Sequence, residues 1–366
     1  MHFDALTIDT QTVFHSGFRF ESGLLAQLGQ FKSGPTSFIM TEVVLREIRN
    51  HLFLKTREAG EALKNAREKA AAYHLPVADT DEQSASDLDV EAATAADERL
   101  NKFINACGAK IINHSTVSLA EVMERYFKAA PPFATSGKKK NEFPDAVSLL
   151  SLEAWAKDNS KVILAVTNDG DWKAFAEQSD HIYVVNDLGE ALQKVQDNLE
   201  ETRRQVVKVF DAIAKRSDLG LAEEFEGSLS SAVNSLSLIA DATSYHHVES
   251  SGSDLDFLDF SFNPDEEGWS FDVVRIDGEA VTVRADVNVR VNATAEFSLS
   301  AFDSIDRDYV GLGSTEVQRE EDLCLEVLVT FTGLKGEVTL EEVELINSWI
   351  EVNFGEIEMD YGDYEE

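Results

Sequence analysis

The sequence predicts an α/β protein with two architectures in one chain: an N-terminal parallel sheet flanked by helices, and a C-terminal, mainly antiparallel β domain. Over the first 200 residues, short apolar runs alternate with helical patterns, as strands joined by crossover helices do. From about residue 217 the composition turns Ser-rich and then acidic. Between Val281 and Leu299 every second residue is apolar and each residue between is polar, the period of a sheet with one buried and one wet face. The expected domains are 1–200, with a helical insertion; 201–250, a helical and Ser-rich linker region; and 251–366, an acidic antiparallel β domain.

The strand candidates of the first part are Leu6 to Ile8, Ser37 to Met40, Ala109 to Ile112, Val162 to Val166 and His181 to Val185. Helical patterns cover 22–32, 41–73, 92–106, 118–128, 144–158, 170–179 and 187–215. Ser118 and Glu121 have the spacing of a capping box, and Pro144 suits the first turn of its helix. Residues 75–98, acidic and rich in Ala, Ser and Thr, read as a loop or the tip of a helical hairpin. Residues 129–142 read as an irregular basic loop containing Lys138, Lys139 and Lys140. In the second part, Glu249 to Asp254 reads as a linker, and Asp277-Gly278 as a hairpin turn. The alternating run exceeds ordinary strand length, so a bend or bulge is expected to divide or coil it.

Charge separates the two parts further. The net charge of −36 divides into −9 over residues 1–200 and −27 over 201–366. An anionic second half is a poor phosphate binder. It suits solubility, a basic protein partner, oligomer assembly or a guard over a basic groove. No apolar stretch is long enough for a transmembrane helix, and no signal-peptide pattern opens the chain. Cys107 and Cys324 lie far apart and read as reduced core thiols, so a cytoplasmic protein with no membrane association is expected.

The chemistry is carried by acids at the ends of apolar elements. Asp9 follows Leu6-Thr7-Ile8, and Asp169 follows Val166-Thr167-Asn168, both beyond carboxyl ends of expected parallel strands, where open α/β sheets bind ligands. Glu47 shares a helix face with Val43 and Val44, and Asp145 with Leu149 and Leu152. Carboxylates that converge repel one another and need a cation to remain ionised together. Mg²⁺ or Mn²⁺ suits such hard oxygen ligands and would activate water against a phosphodiester. No Walker A sequence and no G-x-G-x-x-G sequence competes.

Ile8-Asp9-Thr10, Val44-Leu45-Arg46-Glu47-Ile48, Phe143-Pro144-Asp145-Ala146 and Val166-Thr167-Asn168-Asp169-Gly170-Asp171-Trp172 together resemble the PIN-domain ribonuclease family over roughly residues 1–190. The Thr-x-Asp-x-Asp-aromatic segment is the most specific piece. The resemblance implies Mg²⁺- or Mn²⁺-dependent cleavage of single-stranded RNA, leaving a 5′-phosphate and a 3′-hydroxyl. It implies Asp9, Glu47, Asp145 and Asp169 as the acidic set, with Asp171 as a supporting metal ligand. A toxin or defence role, with an antitoxin or other protein partner, follows by family analogy. The long separation of Glu47 from Asp145 is similar to that of larger PIN-like proteins with a helical insertion.

Each feature also has a local reading. Asp145 can favour the positive end of its helix, Asp169 and Asp171 can be turn residues, Asp9 an N-cap, and Glu47 the partner of an Arg. Lys138, Lys139 and Lys140 are either a solvated charge run or phosphate contacts. Thr10 and Asn168 either contact the substrate side of the site or satisfy local backbone. Trp172 reads as a packing residue. Two further readings remain open: a DNA nuclease using the same acids, and a catalytically silent scaffold acting through the acidic C-terminal half.

Overall fold

The structure, a computed structural model, describes residues 2–75, 85–133, 142–196, 199–262, 269–305 and 307–358. Lys138, Lys139 and Lys140 lie outside these residues. The chain divides into two compact units, Met1–Val195 and Gln196–Glu366. Among the described residues, no helix is long and apolar enough to cross a membrane.

Unit 1 runs β1 (Ala5–Ile8), α1 (Thr10–His15), α2 (Gly23–Gln27), β2 (Ser37–Thr41), α3 (Glu42–Ala72), α4 (Ala85–Cys107), β3 (Lys110–Ile112), α5 (Leu119–Lys128), α6 (Phe143–Asn159), β4 (Ile163–Val166), α7 (Gly170–Ala176), β5 (Ile182–Val185) and α8 (Leu188–Lys194). The strands form one sheet in the order β3-β2-β1-β4-β5, with every adjacent pair parallel. β1 and β4 are buried along their whole length, as central strands covered on both faces must be. Asp4 clamps the start of β1 to β4: its carboxylate accepts from Lys161 at 2.8 Å and from the Val162 N–H at 3.0 Å. The Lys161 hydrogen bond leads the interactions that hold the Asp4 carboxyl below its ordinary range.

The insertion between β2 and β3 is a pair of helices packed together. Only the first turns of α3 enter the core, through Val44, Ile48 and Leu52. Beyond them α3 lies against α4, joined by Arg57 to Asp89 at 3.0 Å and Arg49 to Asp97 at 2.7 Å. A Cβ on Gly60 would stand 2.5 Å from Leu88, so glycine permits this close approach. Residues 85–98 are thus helix rather than loop. Two local expectations also change. Ser118 occupies the N-cap of α5 but makes no capping bond with its side chain, and Glu121 pairs with Arg125 at 3.8 Å. The pattern over 187–215 is two helices, the second belonging to unit 2.

Unit 2 comprises α9 (Leu199–Ala214), α10 (Leu219–Asn234), β6 (Ser237–Thr243), β7 (His247–Ser261), β8 (Phe271–Asp277), β9 (Ala280–Asp303), β10 (Asp308–Thr332), β11 (Thr339–Leu345) and β12 (Trp349–Glu356). β9 is the spine. β10 pairs along one edge, β7 and β8 follow one another along the other, and all are antiparallel to it. β6 and β12 form a separate parallel pair. All ten apolar positions of the alternating run, Val281 to Leu299, are buried. Nothing divides β9. The extra residues fall in its partners, as the register shifts at Ser250/Gly252, Phe257/Asp259, Val273/Arg275 and Gly311/Gly313 show. The turn after Asp277 is a two-residue hairpin whose Gly278 has φ 62°, the left-handed conformation such turns require.

Neither part of the expected linker region is a linker. α9 and α10 bury Val206, Phe210, Ile213, Phe225 and Leu229 in the same core as β9. Glu249 to Asp254 lies inside β7, whose mostly exposed residues explain why its polar sequence resembles a tether. Both cysteines are free, but Cys324 is not a core thiol: it is exposed, on the face of β10 opposite the buried Leu325 and Val327. Cys107 is buried, which pushes its thiol up to about 12.

Phe210 gathers Phe262, Trp269, Phe271 and Phe331 within 6.0 Å of its ring centre. Phe210→Ala is expected to cost about 3–5 kcal/mol, the range for emptying a buried aromatic site. Urea unfolding of the full chain, followed by near-ultraviolet circular dichroism, measures it.

Candidate active site

Parallel pairing of β1 with β4 sets Ile8 opposite Val166, so the residues after each strand emerge side by side. Asp9 is buried and caps α1. Its Oδ1 accepts from the Thr12 N–H at 2.7 Å and the Thr12 hydroxyl at 2.8 Å, while its Oδ2 accepts from the Thr167 hydroxyl. The Thr12 hydroxyl also lies 3.0 Å from the Val166 carbonyl. Thr167 reaches the other way as well: its Oγ1 accepts from the Asp169 N–H at 3.0 Å. Asp169 then caps α7, accepting from the Asp171 N–H at 2.6 Å. One buried threonine thus links Asp9 to the Asp169–Asp171 turn.

The other two acids arrive on helices. Thr41 ends β2 and caps α3, accepting from the Val44 N–H at 3.3 Å. Its hydroxyl also meets the Ser148 hydroxyl at 2.7 Å, which ties α3, the carrier of Glu47, to α6, the carrier of Asp145. Glu47 Oε2 accepts from the Thr10 hydroxyl at 2.7 Å. Asp145 lies in the first turn of α6, just after Pro144 as expected, and its Oδ1 accepts from the Trp172 indole N–H at 3.1 Å. Trp172 is buried, so it packs and also orients an acid.

These five acids share one neighbourhood. Burial pushes the Asp145 carboxyl up. The Trp172 hydrogen bond pulls it partly back, and the charges of Glu47, Asp169 and Asp171 push it up again. Asp9 joins through Thr167, and Glu47 is held beside Asp9 by Thr10. Of the other proposed contacts, Thr10 serves Glu47, while Asn168 is exposed between Thr167 and Asp169. The sequence reading missed the roles of Thr12, Thr167 and the indole of Trp172. The Thr-x-Asp spacing was their only trace.

In an open parallel sheet the crevice beyond the carboxyl ends of the strands is where ligands bind, and Asp9 and Asp169 follow β1 and β4 at those ends. A family model described as PIN domain matches residues 6–172, a segment that contains Asp9, Glu47, Asp145, Asp169 and Asp171. This segment of unit 1 is similar to a PIN domain, and PIN domains are typically nucleases that use divalent metal ions. No curated protein and no solved structure matches the chain.

The donor chemistry fits such an ion, since carboxylate oxygens are hard ligands and the charge crowded around Asp145 is what a divalent cation relieves. Among the described residues, however, no three His, Cys, Asp or Glu side chains stand together as a ligand shell. The acids are neighbours, but they are not drawn in to a single point.

Asp145 has a raised folded-state pKa, so the folded protein binds its proton more tightly than the unfolded chain does. Its contribution to stability is greatest below the ordinary carboxylate range and is lost as pH rises through the raised value. Asp145→Asn keeps an acceptor for Trp172 and removes the repulsion. At neutral pH, without metal, the variant should melt higher than wild type, each kcal/mol relieved appearing as about 2–4 °C. Differential scanning calorimetry reads this out, and an unchanged or lower Tm overturns it. Thr167→Val leaves a buried Asp9 oxygen without its donor and should cost about 1.5–3 kcal/mol in chemical denaturation.

Proposed function

We propose that unit 1 is a metal-dependent endoribonuclease that hydrolyses phosphodiester bonds of single-stranded RNA. The observation that carries this reading is the grouping of Glu47, Asp169 and Asp171 around Asp145 within the PIN-domain segment. Asp9, Glu47, Asp145 and Asp169 would hold Mg²⁺ or Mn²⁺, with Asp171 supporting them. When bound, the ion supplies the Lewis acidity that activates water and offsets charge on the scissile phosphate.

The chain's own part is positioning. Thr12 and Thr167 fix both oxygens of Asp9. Thr10 sets the rotamer of Glu47, and Trp172 sets that of Asp145. Held this way, the acids cost little reorganisation when the substrate phosphate arrives. Lys138, Lys139 and Lys140, adjacent in sequence to Asp145, are assigned phosphate contacts. The anionic unit 2 is assigned to a protein partner, because its charge disfavours nucleic acid and it has a core of its own.

Wild type should cleave end-labelled single-stranded RNA in Mn²⁺. Asp9→Asn and Asp145→Asn should each lose on the order of 100-fold or more in rate while remaining folded. Full activity in both variants refutes the site. Parallel single-stranded and duplex DNA substrates decide the nucleic acid, and cleavage of DNA alone refutes the ribonuclease reading.

A further inference from the structure

Two exposed aromatic rings, Phe14 and His51, stand one helical turn beyond the Thr10–Glu47 pair. Phe14 is 48% exposed although it is a large apolar residue in a helix that buries Val13. It lies four residues after Thr10 on α1, and His51 lies four residues after Glu47 on α3. Residues at that spacing share a helix face. The Thr10–Glu47 hydrogen bond of 2.7 Å and the Phe14–His51 ring contact of 6.0 Å are therefore successive rungs between the same two helices. The second rung lies about 6 Å further along, one helical turn.

The rung is supported from behind. α1 is followed by Gly17 at φ 61° and Phe18 at φ 56°. The left-handed region is costly for a phenylalanine. This turn buries the Phe18 ring and sets it edge-on to Phe14 at 6.0 Å. Arg99 on α4 donates to the Phe18 carbonyl at 2.6 Å and holds the turn closed. A buried ring thus backs the exposed one.

We infer that Phe14, with His51 beside it, is a stacking platform for an unpaired base of the RNA strand, one nucleotide step from the scissile phosphate. This rests on the nuclease reading above. The argument is continuity: the platform shares both helices with Glu47, and a strand whose phosphate meets the acids must pass close by. Exposed aromatic rings bind any base by its π-face, which suits single strands, whose bases are not already stacked in a duplex. The platform therefore contributes affinity and selects unpaired RNA, without reading sequence.

The experiment uses the full-length protein and a short single-stranded RNA with one 2-aminopurine placed at successive positions around the mapped cut. Phe14→Ala should raise KM about tenfold, with kcat falling far less, and should lose the 2-aminopurine quenching seen with wild type at one position. Phe14→Trp should keep the quenching and a KM near wild type. Phe14→Leu, which keeps apolar bulk for folding, should behave as Phe14→Ala, and His51→Ala should show a smaller rise in KM. Wild-type cleavage with unaltered KM and quenching in both Phe14→Ala and Phe14→Leu overturns the platform and leaves the nuclease reading standing. A wild type that neither cleaves nor binds RNA removes both.

Discussion

The pairing of β1 with β4 governs unit 1. Because Ile8 stands opposite Val166, Asp9 and Thr167 leave the sheet as neighbours, and a hydroxyl bridges two turns 158 residues apart in sequence. From that bridge the rest follows. Asp169 caps α7 on one side, Asp9 caps α1 on the other, and α1 presents Thr10 to Glu47. A register error of one residue would separate Asp9 from Thr167 and scatter the acids.

Charge crowding is the cost of this arrangement. Asp145 is partly desolvated amid like charges, and Trp172 offsets only part of the penalty. A bound cation would relieve this repulsion, and the relief would add to its affinity. Neutral hydroxyls and an indole hold Glu47, Asp9 and Asp145.

Much of this was legible in the sequence, for physical reasons that differ by element. All five parallel strands showed as apolar runs: β1, β2 and β4 are buried along nearly their whole length, which leaves little freedom in composition, and the partly exposed edge strands β3 and β5 are apolar in sequence as well. The buried face of β9 was readable residue by residue. α1 was not, because six residues beginning Thr10-Gln11-Thr12 carry too little periodicity. β7 was mistaken in part for a tether, since an exposed strand on the sheet's edge needs few apolar residues. The order of the acids along the chain could be read, and their separation in space could not. That depends on Thr167, Thr41 and Trp172, whose partners lie far away in sequence.

The bulges in the strands that pair with β9 sit in β7, β8 and β10, while β9 runs unbroken for 24 residues. Its alternation therefore acts as a reading frame for the whole sheet. Dropping or gaining one residue midway would turn every later valine, alanine and phenylalanine toward water and bring Asn288, Arg290 and Glu296 inward. The neighbouring strands already accommodate a surplus residue, so they can absorb such length changes. Drift by insertion and deletion is thereby channelled to the flanks, and the central strand can vary only by exchange at constant length.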